Sequence, residues 1–299
     1  MAREVKRTIL LTGASGYIGR NIVEQLGEKY RFLTTRHKEL ELLDTSAVDG
    51  YFRNHIIDVV IHTAVVGGSR PGEHVAGALE QNLRIFFNII RNQHRYKKLI
   101  VFGSGAEYDK SRPLRKIREG DFGKRIPQDE YGFFKFAESR YIECLENTVI
   151  LRIFGIFGKY EDYALRFISN AMVKNILSLP ITMYQNVYFD YVYIKDFVRI
   201  VDYFITHKAK KKFYNIGRGR KIDLITLAKK INRISDQPSK IIIKNPGLNK
   251  EYTCDNTQLM KEIKHFVFTD FDKSLLELYE YYKGIKHSFN KKEFITDKA

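Results

Sequence analysis

The sequence predicts an α/β protein organised on a doubly wound parallel sheet. Three observations carry that prediction. Short apolar runs alternate with amphipathic helical stretches through the first half of the chain. A glycine-rich turn stands between the first apolar run and the first helix. The 299 residues, 44% of them hydrophobic, suffice for a large core and a smaller partner domain.

The first run, Thr8-Ile9-Leu10-Leu11, has the length and content of a buried strand. The helix expected over Arg20 to Glu28 sets Ile22, Val23 and Leu26 on one face. Between them lies Thr12-Gly13-Ala14-Ser15-Gly16-Tyr17-Ile18-Gly19. Strand, tight turn and helix N-terminus in that order make a phosphate site, because the free amides and the helix dipole both favour a diphosphate. The spacing Gly-x-x-Gly-x-x-Gly is one residue wider at its first gap than the common dinucleotide fingerprint. It reads as a dinucleotide pocket.

A second strand, Tyr30 to Thr35, ends at Arg36, and the first acid after it is Glu39. An acid at this strand end bonds ribose hydroxyls, whereas an arginine accommodates a 2′-phosphate. Arg36, with Ser15 in the turn, therefore points to NADPH. A helix is expected from Thr45 to Asn54, a strand from Asp58 to His62, and a long helix from Glu73 to Arg95. His62 closes an apolar run and reads as a structural histidine. The strand Lys98 to Phe102 delivers Ser104 to the carboxyl edge that also carries the glycine turn.

Asp109 to Pro127 is polar and reads as a loop, after which a helix begins near Asp129. It carries Tyr131 and Lys135, four residues apart and so on one face. A nearby ammonium favours ionised tyrosine, bringing it closer to a useful acid. The same spacing recurs at Tyr191/Lys195, Tyr279/Lys283 and Tyr282/Lys286. Tyr131 alone lies downstream of a strand-end serine in the nucleotide-binding half, and the other three read as helix surface or core.

The charge balance, 51 basic against 35 acidic residues, gives a net +16. Its clusters, such as Lys208 to Lys212, are not interleaved with aromatics as in a nucleic-acid module, and they read as solvated surface. No apolar stretch reaches the roughly 18 residues of a membrane span. The charged start, Met1 to Arg7, does not read as a signal peptide. Cys144 and Cys254 lack metal-ligand spacing and suggest a reducing compartment, so a cytoplasmic location is expected.

Taken together, the glycine turn, Ser104 and Tyr131/Lys135 resemble the extended short-chain dehydrogenase/reductase family, in particular its nucleotide-sugar branch. Asn82, the runs Leu151 to Gly158 and Phe213 to Gly217, and Asp255 with Leu259 extend the resemblance over residues 8–284. Arg36 to Phe52, with Val65 to Gly68, is most similar to the GDP-fucose synthase group, which uses NADPH. The resemblance implies a Rossmann domain over residues 1–158, its sheet completed by segments around 187–217. It further implies a smaller α/β substrate region over 159–284 and a basic tail over 285–299.

By the same resemblance, Ser104 orients a substrate carbonyl, Tyr131 donates the proton, and Lys135 tunes Tyr131 and holds the nicotinamide ribose. Cofactor contacts are implied for Gly13, Ser15, Gly16, Tyr17, Ile18, Gly19, Arg36, Asp44, Ala64, Asn82, Lys135 and Phe154. Substrate contacts are implied for Val65, Gly105 and Arg166, and no metal is expected.

Three departures narrow the reaction. Dehydratases of this branch carry an Asp-Glu pair after the serine position, where this chain has Gly105 and Ala106. The epimerising cysteine of the GDP-fucose synthase group is replaced by Ala106. Many members grip the substrate diphosphate with an arginine where this chain has Phe189, leaving Arg166, Lys195 or Lys244 as substitutes. The expected activity is NADPH-dependent reduction of a nucleotide-linked 4-keto-6-deoxyhexose for glycan synthesis, by a homodimer. A 4-epimerase with retained NAD is the alternative. A catalytically silent sensor or nucleic-acid binder is a third reading, which the intact Ser-Tyr-Lys set opposes.

Overall fold

The computed structural model describes residues 6–35, 39–68 and 75–295. The chain runs β1 (Thr8–Thr12), α1 (Tyr17–Leu26), β2 (Arg31–Thr34), α2 (Thr45–Asn54), β3 (Val59–His62), α3 (Ala78–Ile90) and β4 (Lys98–Ser104). Next come β5 (Leu114–Ile117), α4 (Glu130–Ile142), β6 (Thr148–Ile153), β7 (Gly155–Phe157), α5 (Phe167–Ile176), β8 (Ile181–Met183), β9 (Tyr188–Tyr193) and α6 (Ile194–Thr206). Then follow β10 (Phe213–Ile216), β11 (Lys221–Asp223), α7 (Leu224–Ile234), β12 (Ile241–Ile243), β13 (Tyr252–Cys254), α8 (Thr257–Glu262), α9 (Phe271–Gly284) and α10 (Lys292–Ile295).

Six strands form an all-parallel sheet in the order β10-β6-β4-β3-β1-β2. Because side chains alternate along a strand, β1 feeds two cores. Ile9 and Leu11 pack with Ile22 and Leu26 of α1 and Phe197 and Val201 of α6. Leu10 packs on the opposite face with Val48 and Phe52 of α2 and Ile85, Phe86 and Ile89 of α3. Both faces are covered, as an all-parallel sheet requires. Strand order reverses between β1 and β3, so a crevice opens beyond their carboxyl ends.

The substrate side is built differently. A second sheet runs β11-β9-β13-β5, with β7 added alongside β9, and β12 pairs with β8 as a two-stranded ribbon. Later chain thus contributes β10 to the parallel sheet, while β9 belongs to the second one.

Two expectations are corrected. The segment Asp109 to Pro127 is not all loop: Leu114–Ile117 is a strand, paired with Tyr252–Cys254 from far along the chain. A short strand with a distant partner leaves no periodic signature of its own. The long helix starts at Ala78, not Glu73, because Gly77 adopts φ +70, and it stops at Ile90 before a separate 3-10 turn, Gln93–Arg95. Glu73 itself lies outside the described residues. No helix among the described residues is long and apolar enough to cross a membrane.

Candidate active site

The glycine turn is shaped by close backbone approach. Gly13 has φ +72, and a Cβ there would stand 2.6 Å from Thr63 Oγ1 and 2.8 Å from the Ala64 nitrogen at the end of β3. A Cβ on Gly19 would run into the Gly13 carbonyl oxygen and sit 2.7 Å from Ala14 Cα. Only glycine allows β1, the turn and α1 to nest this tightly. Gly16 is the extended N-cap of α1, whose N-terminus has no side-chain cap and no acid in its first turn. Its free amides and dipole suit a diphosphate. Ser15 is exposed beside them, and Ile18 is half-buried against the core. These residues fit a nicotinamide dinucleotide.

Other expected cofactor residues have different duties. The Tyr17 hydroxyl is buried without a hydrogen-bond partner. Burial first, then Glu161, holds its pKa well above that of free tyrosine. Asp44 Oδ1 accepts the Ser46 and Ala47 amides and caps α2. Asn82 is consumed in fastening the loop after β3: its Oδ1 accepts the Val66 amide, and its Nδ2 donates to the carbonyls of Val66 and Ala78. It thereby fixes Ala64, which lies against Gly13, and the exposed Val65. Arg36 lies outside the described residues.

Ser104, at the end of β4, accepts the Ala106 amide through Oγ at 3.1 Å. Its backbone is fixed from below, since its amide donates to Glu107 Oε1 at 2.8 Å. Glu107 is wholly buried and accepts from Arg152 Nε at 2.6 Å and from Ser139 Oγ. Such a pair fixes geometry more surely than it adds stability. Helix α4 is capped by Asp129, which accepts the Gly132 amide. A Cβ on Gly132 would lie 2.9 Å from the Ala106 carbonyl oxygen, so this glycine lets α4 close on the serine turn.

That packing brings Ser104, Tyr131 and Lys135 together. Hydrogen bonding from Ser104 and the charge of Lys135 both pull the Tyr131 pKa down, but burial outweighs them. The net shift is upward, which corrects the expectation that lysine alone would lower it. Lys135 is buried and donates to Glu138 Oε2 at 2.9 Å. Its pKa is raised: burial alone would lower it, and the charge of Glu138 more than reverses this.

On the substrate side, Arg166 precedes α5, and its charge reaches both Tyr131 and Tyr17. Phe154 packs 5.1 Å from the Tyr252 ring. Tyr252, which sequence reasoning missed, arrives on β13. Its hydroxyl stands 2.6 Å from where a Cβ on Gly105 would lie, and Ser104 hydrogen bonding acts on it. Phe189, in the place of an arginine, sets its ring tilted against Tyr191 at 5.3 Å and edge-on to Tyr252 at 5.9 Å. Lys195, another candidate for that role, pairs its ammonium with Glu277 at 2.7 Å on the surface. Lys244 follows the β12 strand of the ribbon. Among the repeated Tyr/Lys spacings, Tyr191 lies on a strand, while Tyr279 and Tyr282 are core residues of α9. No group of three metal-ligating side chains occurs among the described residues.

The chain matches the NAD dependent epimerase/dehydratase family over residues 9–217 and belongs to it. It is thus an NAD(P)-dependent enzyme of the extended short-chain dehydrogenase/reductase type, in the nucleotide-sugar branch. It is 23% identical to the GDP-L-colitose synthase of Yersinia pseudotuberculosis over 310 residues, covering 94% of this chain and 99% of that one. Its fold is similar to that of a GDP-mannoheptose C4 reductase from Campylobacter jejuni with NADP bound, at TM-score 0.79 and 18% identity over 94% of this chain and 100% of that one. It is also similar to the UDP-glucose 4-epimerase of Thermotoga maritima, at TM-score 0.78 and 20% identity over 93% of this chain and 99% of that one.

Proposed function

We propose that the chain is an NADPH-dependent reductase of a nucleotide-linked 4-keto-6-deoxyhexose, acting in glycan biosynthesis. The observation that carries this reading is the meeting of Ser104, Tyr131 and Lys135 beside a serine turn whose next two residues, Gly105 and Ala106, bear no acid or base. The glycine turn of Gly13, Gly16 and Gly19 would hold the cofactor, which when bound would supply hydride to the carbonyl carbon. Ser104 orients the carbonyl, and Tyr131 gives its hydroxyl proton to the oxygen as negative charge develops there. Lys135 stabilises the phenolate left behind. Arg166, whose charge reaches Tyr131, would attract the substrate diphosphate, and Tyr252 and Phe189 would offer the sugar an aromatic wall with one hydroxyl. The relative named GDP-L-colitose synthase supports the GDP-sugar direction. The exposed, edge-stacked Phe87 and Tyr141 of α3 and α4 support a homodimer.

The test is incubation with NADPH and a panel of nucleotide-linked 4-keto sugars. Loss of NADPH absorbance with one sugar is the expected result, and no loss with any would overturn the proposal. Similarity to 4-epimerases keeps a second reading in view. An epimerase would carry NAD through purification and interconvert a nucleotide sugar without consuming NADPH.

A further inference from the structure

Behind Lys135 lies a buried carboxyl group that the proposed reaction does not itself consume. Glu138 sits one turn further along α4, and Lys135 Nζ donates to its Oε2 at 2.9 Å. Its other oxygen, Oε1, faces His62 Nε2 of β3 at 3.8 Å. Neither of those two atoms has a hydrogen-bond partner, and both residues are almost wholly buried.

The hydrogen bonding around His62 defines its tautomer. Thr12 Oγ1 accepts the Thr63 and Ala64 amides, so its own hydrogen is directed to His62 Nδ1, 2.8 Å away. The imidazole therefore carries its hydrogen on Nε2, aimed at Glu138. Burial, reinforced by Lys135, lowers the His62 pKa to about 3, so it stays neutral. The charged and titratable groups around Glu138 are Lys135 and Tyr131 on α4, His62 on β3, and Glu107 from the turn after β4, which Arg152 of β6 pairs.

The geometry points to Glu138 as a positioning residue that holds the Lys135 ammonium and, by gaining or losing a proton, sets the field in which Tyr131 works. This rests on the assignment of Tyr131 as proton donor. Burial and the nearby Glu107 push the Glu138 pKa up to about 7 against the pull of Lys135, so its charge changes in the neutral range. When Glu138 is ionised it compensates Lys135 and raises the Tyr131 pKa. When Glu138 is protonated, the ammonium acts on Tyr131 uncompensated and lowers that pKa. In the reduction the tyrosine O–H bond breaks as the new O–H bond forms at the substrate oxygen, leaving a phenolate beside Lys135. That transfer is easier with Glu138 protonated, so turnover falls as pH rises through about 7.

Glu138→Gln keeps the shape and the acceptor for Lys135 but abolishes the titration. In the parent protein kcat for reduction should fall about three- to tenfold between about pH 6 and pH 8. In Glu138→Gln that fall should disappear while KM for NADPH is unchanged, an outcome that a purely structural role would not produce. A variant that retains the fall overturns the proposal. Infrared spectroscopy of the protein without substrate is independent of activity. A protonated-carboxyl band should vanish as pH rises through about 7 and be missing in Glu138→Gln. Its absence from the parent protein at about pH 6 overturns the assignment even if the enzyme reduces sugars. Conversely, a protein with this band but no reductase activity overturns the proposed reaction and leaves the titrating group in place. Should Glu138→Gln fail to fold, the parent protein still decides: a kcat that stays flat between about pH 6 and pH 8, or a missing carboxyl band at about pH 6, overturns the proposal.

Discussion

At the glycine turn, the backbone makes the site. Gly13, Gly16 and Gly19 contribute by what they lack, and α1 presents amides that no side chain caps. On α4 the site is made of buried charge. Lys135, Glu138, His62, Glu107 and Arg152 come from α4, β3, β4 with its following turn, and β6: Lys135 pairs with Glu138, Arg152 pairs with Glu107, and His62 faces Glu138 at 3.8 Å. The first construction is mostly local, since strand, turn and helix follow one another along the chain and the end of β3 closes on them. The second exists only when four elements have packed, because only burial makes those charges interact strongly. A local site should fail through binding, a packed one through chemistry and pH.

The largest expected effect is on chemistry. Tyr131→Phe removes one hydroxyl from the packed site and should lower turnover by about 10²–10⁴-fold with NADPH binding little changed. Tyr191→Phe, Tyr279→Phe and Tyr282→Phe are the controls. Tyr279 spends its hydroxyl on Asn175 Oδ1 in the core, so its loss should lower Tm rather than kcat. A dead control with an active Tyr131→Phe would place the active site elsewhere.

The next effect is on stability. His62 has its pKa depressed from 6.5 to about 3 by burial, so the folded state binds that proton less readily than the unfolded chain. Its contribution is fully present above pH 6.5 and is lost as pH falls toward 3, with a ceiling of roughly 4–5 kcal/mol. Unfolding midpoints measured across that window should fall steeply in the parent protein and less so in His62→Asn. Equal slopes would mean the histidine gains access to water.

Gly13→Ala probes the local construction. A left-handed alanine costs about 1–2 kcal/mol before its contact with Thr63 and Ala64 is counted. Cofactor affinity should drop about tenfold or more while circular dichroism stays native. Unchanged affinity would show that the turn relaxes without consequence. A further effect concerns selectivity. NADPH should bind more tightly than NADH, and Arg36→Ala should erase about 1.5–3 kcal/mol of that preference, read by titrating both cofactors. Equal affinities in the parent protein would remove the reason for assigning NADPH.

Much of the first construction was legible in the residues. The parallel strands, α2 over Thr45–Asn54 and the glycine turn all depend on short-range pattern, which a sequence carries openly. The Tyr-Lys spacing was legible too, but it occurs four times, and packing alone puts Tyr131 beside Ser104 while burying Tyr279 and Tyr282 in the core. Local pattern also could not show that Asn82 fastens a loop or that Tyr17 buries its hydroxyl, since both facts depend on neighbours far along the chain.

The sequence by itself determined the fold class, the turn and the identities of the reactive groups, because these follow from periodicity, glycine geometry and side-chain chemistry. Tertiary structure decided what those groups are worth. It brought β5 beside β13 across 137 residues, set Tyr252 against Gly105, and enclosed Glu138 between Lys135 and His62. It also reversed the expected sign at Tyr131, where loss of water outweighs the ammonium one turn away. Desolvation is a property of the packed interior, and no spacing along the chain encodes it.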